Sequence, residues 1–530
     1  MPSQSKTTIG CLTATALKAW LDDREEIALI DVREHGEYGE AHLFFAVNAP
    51  FSRLECEITR LVPRLSARVV VYDEDGATIA KRAAMHLARM GYSDVSVLED
   101  GAKGWTAAGY RLFAGVNVPS KTFGELADHF FETPRIGARE LAERIGRKDD
   151  LIVLDGRTFT EFKKMSIPGA TSCPNGELAL RVDDLVPSKS TTIVVNCAGR
   201  TRSIIGAQTL INLRLPNPVM ALENGTQGWF LADLELEHGV QRRHDQAVNP
   251  ADIEGRRARA QALADRFGVE VVDEKTARRW LSETHRTTFL CDVRTPEEFA
   301  SGSLPGAQHT PGGQLIQATD QYVGVQRARL VLFDDEGIRA RVVASWLTQM
   351  GWEAVVLKEG IAANVAAMPV AAIQPSQPAA LSVEDLADEL RQGGRQLVDI
   401  RSSTEFRAAH LAEARWSIRP RLDRLRLALD EPVILIASSP GVAALAAETL
   451  REQGVTDVRI HCGTPEEWRK AKLSTVSTPA EPPDADCIDF LFFVHNRHDG
   501  NKQAARQYLE WETNLVRQID PQERARFVFR

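Results

Sequence analysis

The chain has little cysteine. It holds seven in 530 residues: Cys11, Cys56, Cys173, Cys197, Cys291, Cys462 and Cys487. Few, odd in number and far apart, they exclude a dense secreted disulfide scaffold and fit a reducing cytoplasm. No apolar run of about eighteen residues occurs, so nothing reads as a membrane-spanning helix. The N-terminus, Met1-Pro2-Ser3-Gln4-Ser5-Lys6, lacks the apolar core of a signal peptide. There is no basic excess either: 64 Lys and Arg face 73 Asp and Glu, a net charge of −9. That balance gives no footprint for nucleic acid or an anionic membrane. The remainder is ordinary globular composition, 43% hydrophobic and 26% charged. At about 150 residues per domain it predicts three or four domains.

What is present is a repeat. Four short apolar runs end in Asp-x-Arg: Ile27-Ala-Leu-Ile-Asp31-Val-Arg33, Leu151-Ile-Val-Leu-Asp155-Gly-Arg157, Phe289-Leu-Cys-Asp292-Val-Arg294 and Leu397-Val-Asp399-Ile-Arg401. Each precedes a second apolar run that opens into a loop, starting at Asp73, Cys197, Asp334 and Ser438. The Asp lies 42 residues before the loop in three copies (31 to 73, 155 to 197, 292 to 334) and 39 in the fourth (399 to 438). A third apolar run follows, then Trp105, Trp229 and Trp468; the third copy has Ala366 at the matching place. Runs of four or five apolar residues fit strands buried on both faces of a parallel sheet. Amphipathic stretches such as Ala80 to Met90 and Arg341 to Met350 fit the intervening helices. Alternation of the two predicts an α/β fold, each unit a small doubly wound parallel sheet flanked by helices. In such sheets ligands bind at loops beyond the carboxyl ends of the strands, where the repeat spacing also points.

The landmarks divide the chain into units at 1–125, 126–250, 251–374 and 375–478, with a C-terminal tail at 479–530. The second boundary follows the polar stretch from Gly239 to Pro250, and the third falls in the Pro/Gln linker from Ala371 to Pro378. The tail carries an apolar run, Phe490-Leu-Phe-Phe-Val494, read as a strand, and a charged helical segment around Ala504 to Gln518.

These residues resemble the rhodanese (thiosulfate sulfurtransferase) family, as four tandem copies over nearly the whole chain. The resemblance rests on the Asp-x-Arg strands and on an acidic-aromatic pair after each (Glu37-Tyr38, Glu161-Phe162, Glu298-Phe299, Glu405-Phe406). It rests also on Pro168-Gly-Ala170 and Pro305-Gly-Ala307, and on a Gly before the Trp. His42 and His410 sit where the family often has His; Ser166 and Ser303 replace it in the middle copies. The second loop reads Cys197-Ala198-Gly199-Arg200-Thr201-Arg202-Ser203. A thiolate is the sulfur nucleophile, and a helix N-terminus beside cations favours it. Successive backbone N–H groups form a concave anion cradle. Gly199 is expected to let the chain turn, and Arg200 and Arg202 to add fixed positive charge. Cys197 is the expected catalytic residue, and Ala198 through Ser203 the expected substrate-binding loop. The count is Cys-x4-Arg, one residue shorter than in Cys-x5-Arg phosphatases; by resemblance the shorter loop fits sulfur and the longer one phosphate.

The other loops read Asp73-Glu-Asp-Gly76, Asp334-Asp-Glu-Gly337 and Ser438-Ser-Pro-Gly441. A carboxylate cannot carry a transferable sulfur, and a serine needs a general base. The first, third and fourth copies are therefore expected to be inactive, with Asp73 and Asp334 capping the following helices in place of a ligand. The Asp-x-Arg pairs recur without the thiol, so they read as fold support. Cys173 reads as a packed thiol, with disulfide formation to Cys197 as the alternative. The group His495, His498 and Asp499 reads as a turn and not a metal site, and Arg419 to Arg426 as a solvated helix face. No metal and no cofactor is expected.

The resemblance implies a cytoplasmic sulfurtransferase that takes sulfur from thiosulfate, favoured over 3-mercaptopyruvate by the two loop arginines. A Cys197 persulfide would pass it to cyanide or a thiol. The alternative is a non-enzymatic scaffold or a relay receiving persulfide from a protein partner. No nucleic-acid or membrane partner is expected; the oligomeric state, a homo-oligomer included, stays open.

Overall fold

The computed structural model describes residues 9–245, 247–368, 376–498 and 500–530. The extreme N-terminus, the 374/375 boundary with most of the Pro/Gln linker, and Asp499 lie outside them. Four five-stranded parallel sheets follow one another along the chain, all wound in the same order. In the second copy, strand Arg135–Ile136 is followed across the sheet by Val219–Leu222, Thr192–Asn196, Leu151–Asp155 and Thr171–Ser172. The three inner strands carry the apolar runs read from the sequence, buried on both faces. Helix Thr201–Asn212 joins Thr192–Asn196 to Val219–Leu222, helix Phe159–Lys164 leads from Leu151–Asp155 to the edge strand, and helix Gly225–Leu231 follows the last strand.

The Asp-x-Arg repeat has one structural job in all four copies. Each carboxylate is clamped by the guanidinium two residues on, and that guanidinium also donates to a carbonyl eight residues further: Arg33 to Ala41, Arg157 to Met165, Arg294 to Gly302 and Arg401 to Ala409. The pair ties the strand end to the segment after the next helix, as its presence in copies without a loop thiol implied. In the first and fourth copies the aromatic of the acidic-aromatic pair stacks on the family histidine, Tyr38 on His42 at 3.9 Å and Phe406 on His410 at 3.6 Å. The third copy, lacking the Trp, has only a 3-10 turn at Gly360–Ala362 where the others have helices Gly101–Ala107, Gly225–Leu231 and Pro465–Lys470.

The copies group into two compact units that the linear order does not suggest. One holds the first and fourth, the described part of Met1–Leu21 and Ile27–Gly115 with the described part of Val370–Phe493. Inside it Arg419 is buried and forms a double hydrogen bond with Glu55, at 2.6 and 2.8 Å, with His86 on the same carboxylate. The reading of that basic cluster as a solvated face is overturned at Arg419: the segment is a 3-10 helix, Arg419–Leu425, turned onto an acidic partner.

The other unit holds the second and third copies with Val494–Arg530. Here Trp346 donates to Thr209 Oγ1 at 2.8 Å, and Arg339 to Glu177 at 3.1 Å. The helix Val118–Phe131 also belongs to this unit and contains the expected boundary at 125/126. The tail divides at 493/494 between the two units. Its apolar run forms irregular chain and turns and no strand; just before it, the Ile488 carbonyl accepts the Gly36 N–H at 2.8 Å. The expected tail helix is found at Lys502–Asn514.

Candidate active site

Cys197 follows the strand Thr192–Asn196, in the middle of its sheet, and precedes the helix Thr201–Asn212. Its carbonyl accepts the Thr226 N–H at 2.8 Å, and the Ala198 carbonyl accepts the Gln227 N–H at 3.1 Å. This bracing explains the glycine before the tryptophan. Gly225 has φ +55°, and a Cβ there would lie 2.2 Å from the Cys197 carbonyl oxygen. Gly101 and Gly360 stand in the same relation to the Asp73 and Asp334 carbonyls.

Among the described residues, the backbone N–H groups of Ala198 through Ser203 meet no protein acceptor. Cys197 is 2% exposed. Its Sγ lies 3.6 Å from Ser203 Oγ, which donates to the Arg200 carbonyl at 2.8 Å. The loop thus places a thiol at the mouth of unpaired amides opening a helix, an arrangement suited to an anion at sulfur.

In the first copy the carboxylate at the thiol's position takes part of the matching stretch. Asp73 accepts from the N–H of Gly76 at 2.6 Å, Ile79 at 3.0 Å and Ala80 at 2.9 Å. In the third, Asp334 accepts from Ile338 and Arg339 at 3.0 and 2.9 Å. The carboxylates cap their helices as the sequence suggested. Ser438 instead donates to Glu405 at 3.2 Å.

The two loop arginines are less available than their sequence suggests. Arg200 binds Glu125 at 2.7 and 2.9 Å and Asp128 at 3.0 Å, both on the helix Val118–Phe131. Arg202 makes a two-pronged pair with Glu161 at 2.8 and 2.7 Å. Burial alone would lower both guanidinium pKa values, but these carboxylates, and Cys197 for Arg202, hold them above the usual range. Burial likewise acts to raise Glu161, yet Arg202 and Thr158 bring it down to about 2. The same pair recurs in the third copy, where Arg339 binds Glu298 at 2.7 and 3.1 Å.

Residues outside the repeat close over the loop, and sequence reading missed them. Thr201 Oγ1 donates to Glu512 Oε1 at 2.7 Å, and Lys121 reaches the same oxygen at 3.1 Å. Gly199 does not occupy a left-handed conformation, so the expected turn is not its reason. A Cβ there would lie 3.0 Å from both Glu512 Oε2 and Tyr508 Cε1. The tail helix needs that space. By contrast Gly76 and Gly337 have φ +67° and +69°. Glu125, Asp128, Gln227, Tyr508 and Glu512 carry no signal in the repeat spacing that would have found them.

Cys173 is buried beside Glu177 and Arg181, unbonded, its thiol pKa pushed well up by burial. His495 is exposed, and His498 has its pKa lowered to about 4 by burial and by Arg497, Arg157 and Lys164. No helix among the described residues is long and apolar enough to cross a membrane.

Comparison with known proteins bears on all four copies. The family of the rhodanese-like domain matches residues 13–108, 137–232, 274–367 and 382–471. A solved thiosulfate sulfurtransferase from Pseudomonas aeruginosa is 41% identical, with a TM-score of 0.90, over 98% of this chain and 99% of that one. A rhodanese-related protein from Thermoplasma volcanium is 26% identical over 20% of this chain and 97% of its own, with a TM-score of 0.18. A Bacillus halodurans protein is 22% identical over 24% and 96%, with a TM-score of 0.19. Among curated proteins none matches. With its four matched segments and their common sheet order, the chain belongs to the rhodanese-like domain family.

Proposed function

We propose that the chain is a thiosulfate sulfurtransferase working through its second domain. The Cys197 thiolate attacks the outer sulfur of thiosulfate, the S–S bond breaks, and sulfite leaves with the bonding pair. The product is a Cys197 persulfide anion cradled by the amides of Ala198 through Ser203. A thiophilic acceptor, cyanide in the assay or a thiol, then attacks the outer sulfur and restores the thiolate. Sulfite is a good leaving group, so no general acid is needed.

One observation carries this reading: of the four loops, the second alone joins a thiol to unpaired amides, whereas Asp73 and Asp334 fill their own cradles. The likeness to the Pseudomonas aeruginosa sulfurtransferase over nearly the full length of both chains supports it. Because carboxylates offset Arg200 and Arg202, the donor's charge is met chiefly by backbone N–H groups. Nothing favours the scaffold or relay alternative. Initial rates of thiocyanate formation should give the parallel lines of a ping-pong scheme. Intersecting lines, or thiocyanate production by Cys197→Ser, would contradict it.

A further inference from the structure

Three polar atoms beside the Cys197 loop lack a protein partner. Gln227 is 2% exposed, yet neither Nε2 nor Oε1 meets a hydrogen-bonding group; Oε2 of the fully buried Glu512 is also unpartnered. Gln227 and Glu512 converge on Gly199, Nε2 lying 3.5 Å and Oε2 3.0 Å from where its Cβ would be. Each is anchored behind, Gln227 by its N–H on the Ala198 carbonyl and Glu512 by Thr201 and Lys121 on its other oxygen. Nε2 and Oε2 thereby border the loop at Gly199. A buried polar atom without a partner carries its full desolvation penalty unless a ligand meets it.

Two of the three atoms are acceptors and one is a donor. Cyanide and a simple thiolate offer only lone pairs, and thiosulfate adds negative charge beside Glu512. An ammonium group supplies three N–H donors and positive charge. We infer that Gln227 and Glu512 form the acceptor subsite and select an aminothiol, a thiol with a primary ammonium a few bonds away. This rests on the sulfurtransferase reading above. In the step it implies, the thiol releases its proton to solvent and the thiolate attacks the outer sulfur of the Cys197 persulfide. The bond to Cys197 breaks, R–S–S⁻ departs and the Cys197 thiolate is restored, with no oxidant or reductant required.

The test is single-turnover discharge of the persulfidated full-length protein, followed by intact mass. Cysteamine, 2-mercaptoethanol and 3-mercaptopropionate serve as acceptors for wild type, Glu512→Gln and Gln227→Leu. Intrinsic thiol reactivity cancels when each acceptor's rate is compared between variant and wild type. Glu512→Gln should lower the cysteamine to 2-mercaptoethanol rate ratio about tenfold, equivalent to about 1.4 kcal/mol. Should Glu512→Gln fail to fold, Gln227→Leu, which loses no protein hydrogen bond from its side chain, must lower the same ratio. Equal slowing of all three thiols would overturn the subsite. If thiosulfate does not load Cys197, the donor reading fails on its own, and loading with inorganic polysulfide still reads the acceptor ratio.

Discussion

The Cys197 loop and the Asp73 and Asp334 loops occupy the same place in the same sheet, yet they treat their amides in opposite ways. In the first and third domains the residue matching Cys197 turns its carboxylate inward and satisfies two or three N–H groups. In the second, the thiol leaves them unpaired and the helix starts sooner, capped at Arg200 instead of Thr78 or Ile338. The Asp73 and Asp334 loops are closed by their own carboxylates. The Cys197 loop keeps its amides open, and it is also the loop over which other elements close, from the helix Val118–Phe131 and from the tail.

The comparison can be broken hardest at the glycine brace. Gly225→Ala puts a Cβ in a left-handed position against the Cys197 carbonyl, a strain of about 1–2 kcal/mol before the clash. Displacement of the loop should lower kcat/KM about 100-fold. The same change at Gly101 or Gly360 should destabilise without touching turnover; steady-state kinetics beside thermal melts separate the two, and equal activity loss at all three sites would contradict the account.

Removing a self-filled cradle comes next. Asp73→Ala should destabilise the unit holding the first and fourth domains by about 1 kcal/mol, as loss of a helix cap does, with unchanged sulfur transfer. Urea unfolding would read it, and an unchanged midpoint would mean the three amides are not worth capping.

Acid should sharpen the likeness between the second and third domains. Glu161 and Glu298, each depressed to about 2 by an arginine, contribute stability that is present above their ordinary value of 4.5 and lost as pH falls from there through about 2. The double variant Glu161→Gln with Glu298→Gln should flatten the fall in denaturation midpoint over that window; an identical slope would discount the pairs. The smallest effect is expected at Gly199→Ala. The new methyl meets the far ends of Tyr508 and Glu512, which can give by a few tenths of an ångström, so kcat/KM should drop only about threefold.

The repeat was legible because it is written in local chemistry. An Asp and an Arg two residues apart can clamp one another wherever the chain carries them, and 42 residues from Asp to loop is the span of two helices, the edge strand between them and the next inner strand. The Cys197 loop was legible for the same reason, since thiol, tight loop and helix start are contiguous. What could not be read depends on distant partners. Arg419 looked solvated because Glu55 lies 364 residues away, and Gly199 looked like a turn because Glu512 meets the next turn of chain from 311 residues on. Likewise no spacing in the sequence encodes the pairing of first with fourth domain and second with third.

The central claim is that one domain of four carries sulfur, on Cys197. Intact-protein mass spectrometry before and after thiosulfate, on wild type and Cys197→Ser, tests it directly. The account predicts a gain of one sulfur atom in the wild type alone, removed by cyanide. No gain in the wild type, or the same gain in Cys197→Ser, would contradict it.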